Sequence, residues 1–254
     1  LGVTPWVCLH HFTLPRWFAD TGGFLVEANR DRWRRHVDRV AETFGDLVGG
    51  WKPINEFNFY ARIAYGGGLP PGGTREQQLV AHEAIHLANA EAAVRLKQTG
   101  APVSSVFALA GAVAQDDSPE TAARVARVYE ASWDPGIGLF RDGVLRVEGR
   151  EPIERPDLAG SFDMVGFSYY ATMGVRDGQY TLHPPGADVS PLGYGIFAEG
   201  LGIVLDRLHA ELPGTPLLVA EFGVGTDDDA VRVDYIARGL QVVQDALASG
   251  IDVR

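Results

Sequence analysis

Apolar positions recur along this chain in two alternating rhythms. Short runs of adjacent apolar residues at 3–9, 47–55, 102–109, 163–170 and 216–221 predict buried strands. Between them lie stretches with helical spacing. In residues 29–44, Trp33, Val37, Val40 and Phe44 share one helical face, and Gly45 is placed to end it. Thr74, with Gln77 three residues on, is a capping-box signature for a helix running to Lys97, with Gly100 beyond its end. Ser118-Pro119-Glu120 opens another, with proline at the first helical position. Residues 197–212 and 229–248 complete the predicted helices. Residues 136–155, rich in glycine and charge, predict an irregular excursion. Residues 177–195, full of turn formers, predict a long loop. That makes five strands in order, and 251–254 starts a sixth after Gly250. Repeated β-loop-α units predict a parallel sheet with helices outside. No domain boundary interrupts the pattern, so 1–254 reads as a single domain.

Composition is that of an ordinary globular protein, with 46% hydrophobic and 22% charged residues, and 254 residues suffice for one large core. The formal net charge is −11, from 33 acidic and 22 basic side chains. An acidic chain gains nothing from releasing counterions off phosphate, so nucleic acid is not an expected partner. A membrane is not expected either. No polybasic stretch is present for anionic lipid, and no apolar run approaches the roughly 20 residues that span a bilayer. Cys8 is the one cysteine, so no intrachain disulfide can form. That suits a reducing, cytoplasmic compartment, and within its apolar run Cys8 reads as a small buried hydrophobe. Residue 1 is Leu, and strands are under way at both ends, so the chain reads as an interior piece of a longer one. Oligomeric state is open.

The candidate chemistry lies at strand ends. Glu56 closes Trp51-Lys52-Pro53-Ile54-Asn55-Glu56, and Glu221 closes Pro216-Leu217-Leu218-Val219-Ala220-Glu221. In a β/α barrel a carboxylate at the C-terminal end of a strand points into the mouth where chemistry occurs, and two of them are the basic equipment for cleaving a glycosidic bond. Taken alone, Glu56 could be a solvated loop acid and Glu221 a helix N-terminal acid, though Asp227-Asp228-Asp229 already supplies acids for the next helix. His10-His11-Phe12 follows the first strand. Adjacent histidines suit one metal ion poorly, so a hydrogen bond to a polyol or a packing role is expected there. Tyr169-Tyr170 closes another strand, where a phenol can hold a carboxylate. His82 and His86, four apart on the long helix, read as surface or packing residues. No nucleotide-binding glycine loop or serine elbow appears, and no metal or cofactor is expected.

Taken in order, these pieces resemble glycoside hydrolase family 1, the β-glucosidase and β-glycosidase family. Leu9-His10-His11-Phe12-Thr13-Leu14-Pro15 is similar to that family's H-W/F-x-L-P segment. Ile54-Asn55-Glu56 resembles its Asn-Glu-Pro motif. Residues 163–170 resemble D-F-x-G-x-N-Y-Y, and 216–223 resemble the run ending in T-E-N-G, with Asp229, Arg232 and Tyr235 fitting the following helix. The resemblance implies a (β/α)8 TIM barrel, incomplete here, with about strands three to seven present. It implies a retaining β-glycosidase acting by double displacement on a small-molecule glycoside, with no cofactor. Glu56 would be the general acid/base and Glu221 the nucleophile. Asn55 and His11 would bind sugar hydroxyls, and Tyr170 would hydrogen-bond Glu221. The alternative is a non-catalytic carbohydrate-binding protein on the same fold.

The departures are specific. Phe57 stands for the proline of Asn-Glu-Pro, Ala220 and Phe222 stand for the residues flanking the nucleophile, and Ser168 stands for an asparagine. None removes a catalytic oxygen. The family's sugar-binding Gln, an Arg beside the nucleophile and the tryptophans of its eighth strand have no counterpart in these residues. Five strands do not close a barrel, so little or no activity is expected of this piece alone.

Overall fold

The structure, a computed structural model, describes residues 2–254, and Leu1 lies outside the described residues. The strands are β1 (Trp6–His10), β2 (Gly50–Ile54), β3 (Phe107–Ala108), β4 (Gly111–Ala114), β5 (Val144–Leu145), β6 (Ile153–Glu154), β7 (Val165–Tyr169), β8 (Thr172–Arg176), β9 (Gln179–Leu182) and β10 (Leu217–Phe222). The helices are α1 (Arg16–Asp20), α2 (Glu27–Phe44), α3 (Phe57–Tyr65), α4 (Arg75–Leu96), α5 (Pro119–Ser132), α6 (Asp134–Asp142), α7 (Gly200–Glu211) and α8 (Asp229–Ala248). Strand and helix alternate in the manner of a (β/α)8 barrel core. The residues gather into two compact units, 1–108 with 132–166, and 109–131 with 167–254.

In the first unit β1 and β2 run parallel, with Trp6 opposite Gly50 and His10 opposite Ile54. Parallel bridges join Trp51 to Val103 and Ser104 to Met164, extending the ladder beyond β2. Helix α4 is buried almost all round, because its contact positions are filled by Ala81, Ala84, Ala88, Ala90, Ala92 and Ala93. Small side chains let neighbours approach closely, and the Trp33 indole of α2 donates to the Ala88 carbonyl at 3.1 Å. The capping box is present in full: Thr74 Oγ1 accepts from Gln77 N, and Gln77 Oε1 accepts from Thr74 N.

In the second unit β4 and β8 are parallel and β9 returns antiparallel to β8. Residues 167–169 of β7 belong here. Ser168 O accepts from Leu109 N at 3.1 Å, and β10 is the neighbour of β7. Leu217 bridges Val253 in parallel, which is the start of the expected sixth strand. Helix α8 begins where the acid run predicts, with Asp228 capping Ala230 N at 2.8 Å. A core of Ala198, Val224 and Tyr235, with Ile196 and Phe222 packed against it, fills the space beside β10.

Three expectations are corrected. Residues 136–155 are not an irregular excursion, since they hold most of α6 and the antiparallel pair β5–β6. Helix propensity argued against a helix containing Gly136 and Gly138, but packing overrides it. A methyl group at 136 would run into the Phe107 ring, so the helix lies this close only because the Cβ is missing. Gly136→Ala is therefore expected to destabilise the protein by ~1–3 kcal/mol, seen as a lower urea midpoint with unchanged slope. An unshifted midpoint would mean the Phe107 ring has room to move. Residues 177–195 are likewise not all loop, because β9 occupies 179–182. The signal was in the sequence: Asp177-Gly178 has positive φ at both residues (48° and 69°), the two-residue turn of a hairpin. Asp116 reinforces it, accepting from the main-chain N–H of Asp177 and of Ser118, both at 2.8 Å. The strand predicted over 102–109 is shorter than expected, with β3 confined to 107–108 and single bridges at Val103 and Ser104.

Candidate active site

The first unit builds the surroundings of Glu56. Strand β2 ends at Ile54, whose N–H is taken by Asn89 Oδ1 at 3.1 Å, and Asn55 N donates to His10 O at 2.9 Å. The chain then turns sharply. Glu56 adopts a left-handed backbone (φ 44°, ψ 44°), a conformation that costs a non-glycine residue about 1–2 kcal/mol. Strain of this kind persists only where the surroundings over-determine it. Here Glu56 O accepts from Phe59 N and Tyr60 N at 2.9 and 2.7 Å, opening α3. Asn58 then clamps that helix. Its Nδ2 donates to Ala108 O and Ser132 O at 2.9 and 2.8 Å, and its Oδ1 accepts from Ala108 N at 2.9 Å. Phe57, where the family pattern has proline, is buried against Phe107 and His86 with ring centroids 4.6 and 4.9 Å away. Glu56 and Asn55 are themselves buried, at 7% and 3% exposed. His11 is exposed, with Nε2 3.4 Å from Asn55 Nδ2. So Glu56, Asn55 and His11 lie along the ends of β1 and β2.

The second unit builds the surroundings of Glu221, the penultimate residue of β10. Tyr170 Oη donates to Glu221 Oε2 at 2.6 Å, a short charge-assisted bond across 51 positions of sequence. Tyr235 Oη donates to the Tyr170 carbonyl at 3.2 Å. Burial pushes the phenols of Tyr235 and Tyr169 above their usual range, so both remain neutral donors.

Residues 82–86 spell His-Glu-Ala-Ile-His, the spacing of a helical zinc motif. The structure assigns them to packing. Glu83 is held by Arg150 through two bonds of 2.9 and 2.8 Å. The imidazoles lie 4.4 Å apart, both buried, and His86 Nδ1 donates to His82 O at 2.7 Å. Among the described residues no third His, Cys, Asp or Glu joins them. A separate cavity of about 600 Å³ in the first unit is lined by His10, Trp17, Phe24 and Trp33, and neither Glu56 nor Asn55 borders it. Among the described residues no helix is long and apolar enough to cross a membrane.

Sequence reasoning missed Asn58 as a clamp and Tyr235 as a support. Asn two residues after a strand-end acid was the available hint for the first, and the match of Tyr235 to the family's following helix was the hint for the second.

Comparison with known proteins agrees with the resemblance. The profile of Glycosyl hydrolase family 1 matches residues 1–254. The bifunctional β-D-glucosidase/β-D-fucosidase of Bifidobacterium breve is 29% identical, covering all of this chain and 65% of its own length. A chloroplastic benzoxazinyl-glucoside β-D-glucosidase of Triticum aestivum is 26% identical, covering all of this chain and 55% of its own. The solved β-glycosidase of Pyrococcus horikoshii superposes with a TM-score of 0.89 at 26% identity, covering all of this chain and 60% of that one. These 254 residues thus correspond to part of a (β/α)8 barrel.

Proposed function

Because this chain belongs to glycosyl hydrolase family 1, we propose that it carries both catalytic carboxyls of a retaining β-glycosidase. It corresponds to about strands three to seven of the barrel, and its substrates are small β-glycosides of the β-glucoside type. The observation that carries the reading is the 2.6 Å bond from Tyr170 to Glu221 at the end of β10. A half-buried carboxylate next to the end of its strand and held by a phenol is oriented for attack, not left as a loose surface charge.

In this mechanism Glu221 attacks the anomeric carbon from one side of the ring while Glu56 protonates the departing oxygen on the other, which asks for carboxyls about 5–5.5 Å apart. The bond to the leaving group breaks as the bond to Glu221 Oε forms. Glu56, now ionised, takes a proton from water, and that water displaces Glu221 with a second inversion. Asn55 and His11, polar and adjacent to Glu56, bind sugar hydroxyls.

The test is the stereochemistry of hydrolysis of an aryl β-glucoside by the protein as its gene encodes it, followed by proton NMR from the first turnover. The β-anomer is expected to appear first. An α-anomer formed first would reject the double displacement, and absent turnover would favour a binding role. Tyr170→Phe is expected to lower kcat by about 10–100-fold, the loss of one hydrogen bond to a charged group, with KM little changed. A kcat within twofold of wild type would remove Tyr170 from the site.

A further inference from the structure

Phe222, immediately after the proposed nucleophile, is a departure from the family pattern, and the second unit shows what it does. Successive residues of a strand face opposite ways, so as Glu221 meets Tyr170, Phe222 turns into the core. Its ring stacks on Tyr235, with centroids 4.7 Å apart and planes 21° apart, and on Tyr169, at 6.1 Å and 15°. The ring also fills a notch in α8. The notch is Gly239, where an added Cβ would collide with the Phe222 ring. Both tyrosines are fixed at their far ends. Tyr169 Oη donates to Phe197 O at 2.6 Å, and Tyr235 Oη donates to Tyr170 O at 3.2 Å. Tyr170 Oη in turn holds Glu221 Oε2. The contacts close a circuit from Glu221 through the main chain to Phe222, by stacking to Tyr235, by hydrogen bond to the Tyr170 backbone, and by hydrogen bond back to Glu221.

We propose that Phe222, seated in the Gly239 notch, is the positioning residue that sets the Glu221 carboxylate through Tyr235 and Tyr170. This rests on the reading of Glu221 as nucleophile. Tyr170 is 37% exposed, so its bond to Glu221 competes with water and does not fix the carboxylate unless the Tyr170 backbone is held from behind. Tyr235, fully buried, supplies that hold, and its ring has a defined place only because Phe222 fills one side of it. Ring and notch are complementary: a smaller side chain at 222 leaves a void, and a larger one at 239 expels the ring.

The experiment measures kcat and KM on an aryl β-glycoside for Phe222→Leu, Gly239→Ala and the double variant in the protein as encoded, with a crystal structure of Phe222→Leu. Each single change is expected to lower kcat by about 10–100-fold, as small misplacements of a reacting group do, with KM within about twofold. The double variant is expected to be no worse than the poorer single one, because the new methyl occupies space the ring has left. In the crystal, Tyr170 Oη is expected to move out of hydrogen-bonding distance of Glu221. Unchanged kcat in both single variants, multiplicative losses in the double, or a Tyr170–Glu221 bond kept at 2.6 Å would overturn the proposal. Should Phe222→Leu not fold, Gly239→Ala, which keeps the ring, decides by the same split. If the unmodified protein turns nothing over, the glycosidase reading fails, and the crystallographic distance alone decides the positioning.

Discussion

Glu221→Gln is expected to reduce kcat on any aryl β-glycoside by at least about 10⁴-fold, whatever the leaving group. The amide keeps the shape of the carboxylate and its contact with Tyr170 but lacks the charge that attacks. Glu56→Gln is expected to behave differently. A poor leaving group such as phenolate needs a proton as it departs, and losing the acid there costs about 10²–10⁴-fold. A good one such as 2,4-dinitrophenolate leaves unassisted, so its glycosylation step is nearly unchanged and deglycosylation becomes limiting. The two variants are thus separated by the slope of log kcat/KM against leaving-group pKa, which steepens for Glu56→Gln alone. Added azide should rescue Glu56→Ala with a β-glycosyl azide product and Glu221→Ala with an α-glycosyl azide. The same product from both, or a steepened slope in the Glu221 variant, would exchange or abolish the assigned roles.

Acidification is expected to unfold this protein well before most carboxylates titrate. Burial holds the imidazoles of His10 and His86 down to about 4, the neighbouring charge of His11 adding to the effect at His10, and burial lowers His82 too. His10 is enclosed by Phe24, Trp33 and Tyr60, and neither of its ring nitrogens has a hydrogen-bond partner among the described residues. His86 packs on Phe57 and His82, and Arg62 and Arg75 add positive charge near His82. The sign follows from proton binding. Between pH 4 and 6.5 the unfolded chain protonates these rings and the folded one does not, so stability rises with pH across that window. The stabilisation is complete above about 6.5 and lost as the pH falls toward 4. His10 and His86 each account for ~3 kcal/mol over the window, and the two together rival the whole stability of a typical domain. Urea unfolding at pH 7 and pH 4.5 should show the loss, and His86→Leu should flatten the acid limb by about half. An acid limb identical in the wild type and His86→Leu would shift the cause to the surface carboxylates.

Because Phe57 and Tyr60 belong to the helix opened by Glu56, the same protonation would loosen the segment bearing the proposed acid. Activity and stability should therefore fail together on the acid side.

Much of the fold was legible in local chemistry. The bounds of α8 match the apolar spacing and the acid run before it, Thr74 and Gln77 form the two bonds of their capping box, and Pro119 stands first in α5. Each signal is carried by residues within one turn of one another, where intrinsic preference acts directly. The strand-end positions of Glu56 and Glu221 were legible for the same reason, since an apolar run closing in a carboxylate needs no distant partner to be noticed.

What tertiary structure alone decided is everything that depends on an absent or remote atom. The glycines of α6 look like a loop until the Phe107 ring occupies the space where a Cβ would be. Phe222 looks like a damaged motif until Tyr169, Tyr235 and the gap at Gly239 enclose it. The left-handed turn at Glu56 is invisible in composition, because its cost is repaid by Asn58 reaching residues 50 and 74 positions away. Sequence determined the helices and strands whose signals lie within a turn or a short run, and which acids close those runs, since those follow from short-range energetics. The fold decided where those acids point, since orientation is set by packing between residues the chain places far apart.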